Sequence, residues 1–212
     1  MLEGDRWRQA QWRYNVVSIF IAGYETSAVA LTWLWYLLAR HPEVAGKVQS
    51  EIDQVVGGRV AGENDVRSLV YTEAVMKEVL RLYPPLWLAG REAQQDLALG
   101  SFRVAAGSIM LLSPWVTHRD PRFFDDPEGF RPERWLTRET SQPPKFAYFP
   151  FSGGPLHCLG QRFAAMEIML TVSLIVWRFT LTSTSPSAIV PKPWIGLRPD
   201  GAVPMLVTRR DR

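Results

Sequence analysis

From Arg6 to Arg40 the chain runs without a proline, and Pro42 then stands where a new helix can open. A proline in a first helical turn loses no hydrogen bond, so the pattern predicts one long helix over 6–40 and a second from Pro42 to about Val56, ended by Gly57-Gly58. So long a helix needs somewhere to put its apolar residues. Val16 to Leu38 is long enough to cross a bilayer and carries one charge, Glu25. A mid-span carboxylate costs about 2.5–3.5 kcal/mol on insertion scales, and polar Thr26 and Ser27 adjoin it. The stretch is therefore read as a buried helix through a large core, with a membrane span unlikely for this segment.

A third helix is expected from about Tyr71 to Tyr83, where Pro84-Pro85 removes donors and clashes with the preceding turn. The first 85 residues thus read as helical. The texture then changes to short strand-like runs, Arg91-Glu92-Ala93, Ser101 to Val104 and Ser108 to Leu112, separated by Gly100 and Gly107, which predict a small sheet. Residues 120–157 are rich in Pro, Gly, Phe and Trp with little periodicity, and irregular segments of such length usually bind something. Helix returns from Leu159 to Trp177, and Trp194 to Leu197 with Met205 to Thr208 reads as a terminal hairpin. The fold class is mainly α with small β-sheets (α+β), in one domain without repeats or linkers.

Charge narrows the partners. Twenty-four basic residues are spread among 21 acidic ones, net +3, with no Lys/Arg block of the nucleic-acid type. Arg6-Trp7-Arg8 with Trp12-Arg13 reads as a solvated helix start rather than a membrane-surface face. The start is polar and has no signal-peptide pattern. One cysteine excludes an intramolecular disulfide and fits a reducing compartment without proving one, and the soluble, bacterial style of the motifs described below sets the expected location as cytoplasmic. A lone cysteine is ordinarily a small buried hydrophobe, and only its neighbours can overturn that.

Those neighbours are Phe149-Pro150-Phe151-Ser152-Gly153-Gly154-Pro155-Leu156-His157-Cys158-Leu159-Gly160, a glycine-rich loop delivering a cysteine to a helix start. Unpaired amides and the helix dipole there stabilise an anionic sulfur. Gly153 and Gly154 permit tight turns, Gly160 admits a flat ligand or close backbone, and Phe151 is expected to shield the sulfur from water. The run resembles the haem-binding signature of the cytochrome P-450 family, with Phe151, Gly154, Cys158 and Gly160 at the signature positions. The family usually has a basic residue two before the cysteine, pairing with a haem propionate; here Leu156 stands there. His157 is read as a spacer.

Three further motifs follow the family's order. Ala22-Gly23-Tyr24-Glu25-Thr26 places small residues and an acid-alcohol pair in the long first helix, and is similar to the distal oxygen-binding helix. Ser27 stands where many relatives have a second Thr. Glu78-Val79-Leu80-Arg81, an i,i+3 pair on one helix face, resembles the Glu-x-x-Arg motif, whose partner Arg is matched by Arg134 in Pro132-Glu133-Arg134-Trp135. These three, Glu78, Arg81 and Arg134, are assigned to structure, bracing the cysteine loop. Arg91 lies where the family has a propionate-binding Arg. His118, in Thr117-His118-Arg119-Asp120-Pro121, is read as a surface or capping histidine.

The resemblance implies the C-terminal part of one such domain: long distal helix 1–40, helices 42–85, small sheet 91–112, meander and cysteine loop 120–158, helix 159–178, terminal hairpin 179–212. It implies haem (iron protoporphyrin IX) held by Cys158 as metal ligand, with Phe151, Gly154, Gly160, Arg91, Ala22 and Gly23 around it, and Thr26 and Glu25 organising and relaying protons. The implied activity is monooxygenation of a small apolar organic substrate. Electrons would come from a separate ferredoxin- or flavin-type partner, since no G-x-G-x-x-G fingerprint is present, and Lys145 and Arg162 are candidate docking cations. What precedes the distal helix in a complete family member, about half of it, is expected to be missing. A non-catalytic truncated remnant or haem-binding module is therefore the alternative.

Overall fold

The proline-free stretch folds as one helix, α1 (Leu2–Arg40), followed at once by α2 (Pro42–Val56) with Pro42 in its first turn. The computed structural model describes residues 2–136, 143–185 and 187–211, with the side chains of residues 2–7 and 10 outside it. The expected solvated start therefore lies outside the description at Arg6 and Trp7, as does 137–142 of the meander; Arg8, Trp12 and Arg13 are exposed. The prediction that α1 is buried holds for only part of it. From Ser27 on, Val29, Ala30, Trp33, Leu34, Leu37 and Leu38 are buried, whereas Trp12, Tyr14, Val16, Phe20 and Tyr24 face outward. From Gln11 to Arg40 the helix is long and apolar enough to cross a membrane.

Val44, Val48, Ile52 and Val56 form a stripe four residues apart along α2 and pack into the core. They meet α1, α3 (Val70–Leu82) and α5 (Gln161–Arg178), whose Val75, Val79, Ile168, Met169 and Val172 complete it. Trp33 sits at its centre, stacked on Tyr83 with ring centroids 3.9 Å apart. The short α4 (Pro114–Thr117) is capped by Ser113, whose Oγ accepts from Val116 N–H.

A cross-helix cap fixes where α3 begins. Glu51 of α2 accepts from the backbone N–H of Tyr71 at 2.6 Å and of Thr72 at 2.8 Å, and from the Thr72 hydroxyl at 2.7 Å. These amides are among the first-turn donors a helix leaves unpaired. Glu51→Ala should lower stability by about 1–3 kcal/mol in urea unfolding followed by circular dichroism. A midpoint equal to wild type would show that water caps α3 as well.

The sheets differ from expectation in two ways. The region 91–112 holds two separate two-stranded sheets: β1 (Ala89–Glu92) pairs antiparallel with β4 (Ile109–Leu112), and β2 (Leu97–Leu99) pairs with β3 (Phe102–Val104). The tail also divides. β6 (Pro191–Pro193) and β7 (Leu197–Pro199) form the hairpin around Trp194, while β8 (Met205–Arg209) pairs with β5 (Phe179–Ser183), which leaves α5 directly. Arg210 fastens this end, donating to Asp53 at 2.6 Å and to the Val176 carbonyl at 2.8 Å. The result is an α+β arrangement, as expected.

Candidate functional site

Left-handed backbone shapes the loop that carries the cysteine. Phe146, Ser152 and Gly154 have φ of 70°, 61° and 68°, a conformation that only glycine adopts freely. At Gly153 a Cβ would stand 2.5 Å from Cε1 of Phe146, so any other residue there would have to displace that exposed ring. After a single turn at Gly154–Leu156, the Cys158 N–H donates to the Phe151 carbonyl at 2.9 Å. Cys158 is exposed. It lies two residues ahead of Gly160, the N-cap of α5, so the helix starts slightly later than expected. The expected shielding by Phe151 is not seen: its ring packs against the helical core, and it serves the loop through its carbonyl. At Gly160 a Cβ would be in ordinary contact, 4.0 Å from the sulfur. Leu156, His157 and Leu159 are exposed.

Behind the loop stands a buried ionic centre. Glu78 and Arg81 are both fully buried. One oxygen of Glu78, Oε1, accepts from Arg81 Nη2 (2.9 Å), Arg134 Nε (3.0 Å) and the Arg131 N–H (3.0 Å); the other accepts from Arg81 Nε (3.0 Å) and Trp135 Nε1 (2.8 Å). Arg81 also donates to the carbonyls of His118, Pro127 and Gly129. The three residues expected to form this centre are together.

His118 was expected at the surface or as a cap, and the structure corrects this: it is fully buried and joins the centre to the loop. Its Nε2 accepts from the Phe149 N–H at 2.9 Å. Its Nδ1, 3.3 Å from the Arg81 carbonyl, must then carry the proton and donate. Burial pushes its pKa from 6.5 down to about 3, so the ring is neutral at physiological pH. Beside it the buried Tyr148 hydroxyl donates to the Lys77 carbonyl at 3.0 Å, and burial raises that phenol's pKa above its usual value. Arg91, on β1, reaches the loop as well, donating from Nη2 to Ser152 Oγ at 3.0 Å.

On α1, Ala22, Gly23 and Thr26 lie on the exposed side, and Thr26 Oγ1 donates back to the Ala22 carbonyl at 2.6 Å. Ser27 turns inward instead and donates to Glu167 of α5 at 2.9 Å. Glu167 stands only about 9 Å along α5 from its first residue, so this part of α1 and the cysteine end of α5 are neighbours. A cavity of about 130 Å³ opens beside it, lined by residues including Ala22, Glu25, Thr26, Leu86, Ile195 and Gly196. Glu25 meets a partner that nothing in the sequence marks: Arg198 Nη2 and Nε donate to its Oε1 at 2.7 and 3.1 Å.

Among the described residues no group of three or more His, Cys, Asp or Glu side chains converges on a possible metal site. A single exposed thiol such as Cys158 suits an iron already held in a macrocycle. Exposed Leu159 and Phe163, with Arg91 on the adjoining strand, offer an apolar face and a cation to such a flat, acid-edged group. Fold and site thus define a protein that presents one sulfur ligand from a braced glycine loop.

The chain belongs to the cytochrome P450 family, whose family model matches residues 3–203. It is 39% identical over 183 residues to cyclooctatin synthase of Streptomyces melanosporofaciens, covering 86% of this chain and 40% of that protein. To cytochrome P450 4V2 of Homo sapiens it is 39% identical over 183 residues, 85% of this chain and 35% of that protein. To cyclooctat-9-en-7-ol 5-monooxygenase of Streptomyces melanosporofaciens it is 41% identical over 167 residues, 79% and 36% respectively. The chain therefore spans roughly two fifths of the length of these relatives.

Proposed function

We propose that this chain forms the thiolate side and the acid-alcohol side of a haem-dependent monooxygenase acting on a small apolar organic substrate. The observation that carries the reading is the exposed Cys158 at the head of a loop held by the Glu78–Arg81–Arg134 centre and His118. Haem, when bound, supplies dioxygen activation and the oxidising power for a C–H bond. Cys158 would hold its iron through the sulfur, Gly154 and Gly160 would keep backbone bulk away from it, and Phe151 fixes the loop.

Arg91, which donates to Ser152, would pair with a propionate, and Leu156 would add no cation beside it. Thr26 has its hydroxyl proton committed to Ala22, so its oxygen accepts from water or substrate. Glu25 moves protons to that position. Ala22 and Gly23 leave room beside it, and Leu86 and Ile195 give the cavity an apolar wall that fits an apolar substrate.

A separate ferredoxin- or flavin-type protein delivers electrons, with exposed Lys145 and Arg162 as docking cations. The reading includes a cytoplasmic location, with which a lone cysteine is compatible; native protein that pellets with membranes would count against it.

The test is the carbon monoxide difference spectrum of the purified chain reconstituted with haemin, beside Cys158→Ala. A thiolate-type Soret band present in the wild type and lost in the variant is expected. Absence of the band in the wild type overturns the reading and leaves a family member without its cofactor site.

A further inference from the structure

The β6–β7 hairpin sits on α1 and on the segment after α3 through three hydrogen bonds that involve no charge. Trp33 Nε1 donates to the Leu197 carbonyl at 2.7 Å, the Leu197 N–H donates to the Pro85 carbonyl at 3.0 Å, and Trp87 Nε1 donates to the Trp194 carbonyl at 2.9 Å. These three bonds seat the hairpin independently of charge. Arg198 nevertheless directs both Nε and Nη2 at one oxygen of Glu25, 173 residues away.

The Arg198 side chain is about half exposed and that of Glu25 about a quarter; such a pair adds little to stability. What it fixes is the direction of a side chain. The hairpin backbone runs beside the same carboxylate and leaves little room there: a Cβ at Gly196 would lie 3.2 Å from Glu25 Oε1, 3.6 Å from the Pro85 carbonyl and 3.8 Å from Val29 Cγ2. Gly196, Ile195, Glu25 and Thr26 all line the cavity. An occupant that touches Ile195 or Gly196 thus reaches the residues that decide where the carboxylate points.

We propose that Arg198 is a positioning residue for Glu25, holding the acid's carboxylate against the terminal hairpin, and that the hairpin tip at Ile195-Gly196 is the element through which an apolar occupant of the cavity releases it. The inference rests on the monooxygenase reading for its catalytic meaning, because it names what governs the acid of that site. As a statement about side-chain geometry it does not depend on haem.

The experiment uses the 212-residue chain and measures two quantities for each variant. One is the rate at which a water-soluble carbodiimide with glycine ethyl ester labels Glu25, relative to exposed Glu63, by peptide mass spectrometry. The other is hydrogen exchange at the Leu197 amide. Arg198→Ala should raise Glu25 labelling about fivefold, the factor that about 1 kcal/mol gives, with Leu197 exchange unchanged. Arg198→Lys, which keeps a charge but not the fork, should fall between the two. Gly196→Ala should raise labelling with Arg198 still present.

Unchanged Glu25 labelling in Arg198→Ala overturns the proposal. So does a rise matched by faster Leu197 exchange, because the pair would then be a clamp on the hairpin. The carbon monoxide band separates this from the functional reading. A chain that shows the band but no change at Glu25 refutes the positioning role alone, and one without the band but with the change keeps Arg198's hold on Glu25 while removing the reaction it would serve.

Discussion

Glu78→Ala should lower the urea unfolding midpoint of the chain far more than removal of any exposed ion-pair partner. The side chain is fully buried and takes five hydrogen bonds from four residues. Without it the equally buried Arg81 keeps three carbonyl partners and no counter-charge. Breaking a buried pair by removing one partner costs about 3–5 kcal/mol, a large share of the roughly 5–15 kcal/mol that a folded domain has. Glu133→Ala is the control, since Glu133 makes a largely exposed pair with Lys47 at 2.7 Å and should lose about 1 kcal/mol or less. Urea unfolding measures both. A Glu78→Ala midpoint as close to wild type as that of Glu133→Ala would refute a buried ionic keystone. Glu78→Gln should fall between them, keeping an acceptor but setting an amide against donors.

Acid should weaken the fold through one histidine. His118 takes up a proton at about 3 in the folded chain, against 6.5 as the ordinary value, because burial opposes the charged ring. Between those two values the unfolded chain binds the proton and the folded chain does not, so stability falls as pH drops from about 6.5 toward 3. The full window corresponds to a loss on the order of 4–5 kcal/mol, at up to about 1.4 kcal/mol per pH unit. Protonation also removes the acceptor at Nε2 on which the Phe149 N–H relies, so the cysteine loop is what gives way. Unfolding by urea at pH 7, 6, 5 and 4 should show this slope in the wild type and a flatter one in His118→Asn. Parallel slopes would place the acid sensitivity elsewhere, and a His118 resonance, assigned by its loss in His118→Asn, that titrates near 6.5 in the folded chain would refute the assignment directly.

The parts of the molecule legible in the sequence are those written in local pattern. Pro42, Pro84 and Pro85 bound the helices because proline acts on its own neighbours. The Glu78, Arg81 and Arg134 centre was legible through its motif, and the structure brings the three together. His118 was not, because its burial depends on carbonyl and amide partners 37 and 31 residues away, while its neighbours Arg119 and Asp120 make the segment look solvated. Arg198 reads as one more polar residue near the end of the chain until the hairpin folds back on α1. The half-exposed α1 misled for a related reason: apolar content predicts burial, but does not say which half of a long helix finds partners.

The bracing of the cysteine loop has a temporal side. Phe149 is held by a residue 31 positions earlier, Tyr148 by one 71 positions earlier, and the Glu78 centre spans 56 positions to Arg134. None of these bonds can form until the intervening chain has been brought round, and such closures are slow because chain entropy must be lost before any contact compensates. The loop therefore cannot reach its final shape until α3 and the segment that follows it have met. A chain still assembling holds its single thiol on an unshaped segment, so a ligand that needs the shaped loop at Cys158 selects the folded chain and, by mass action, stabilises it.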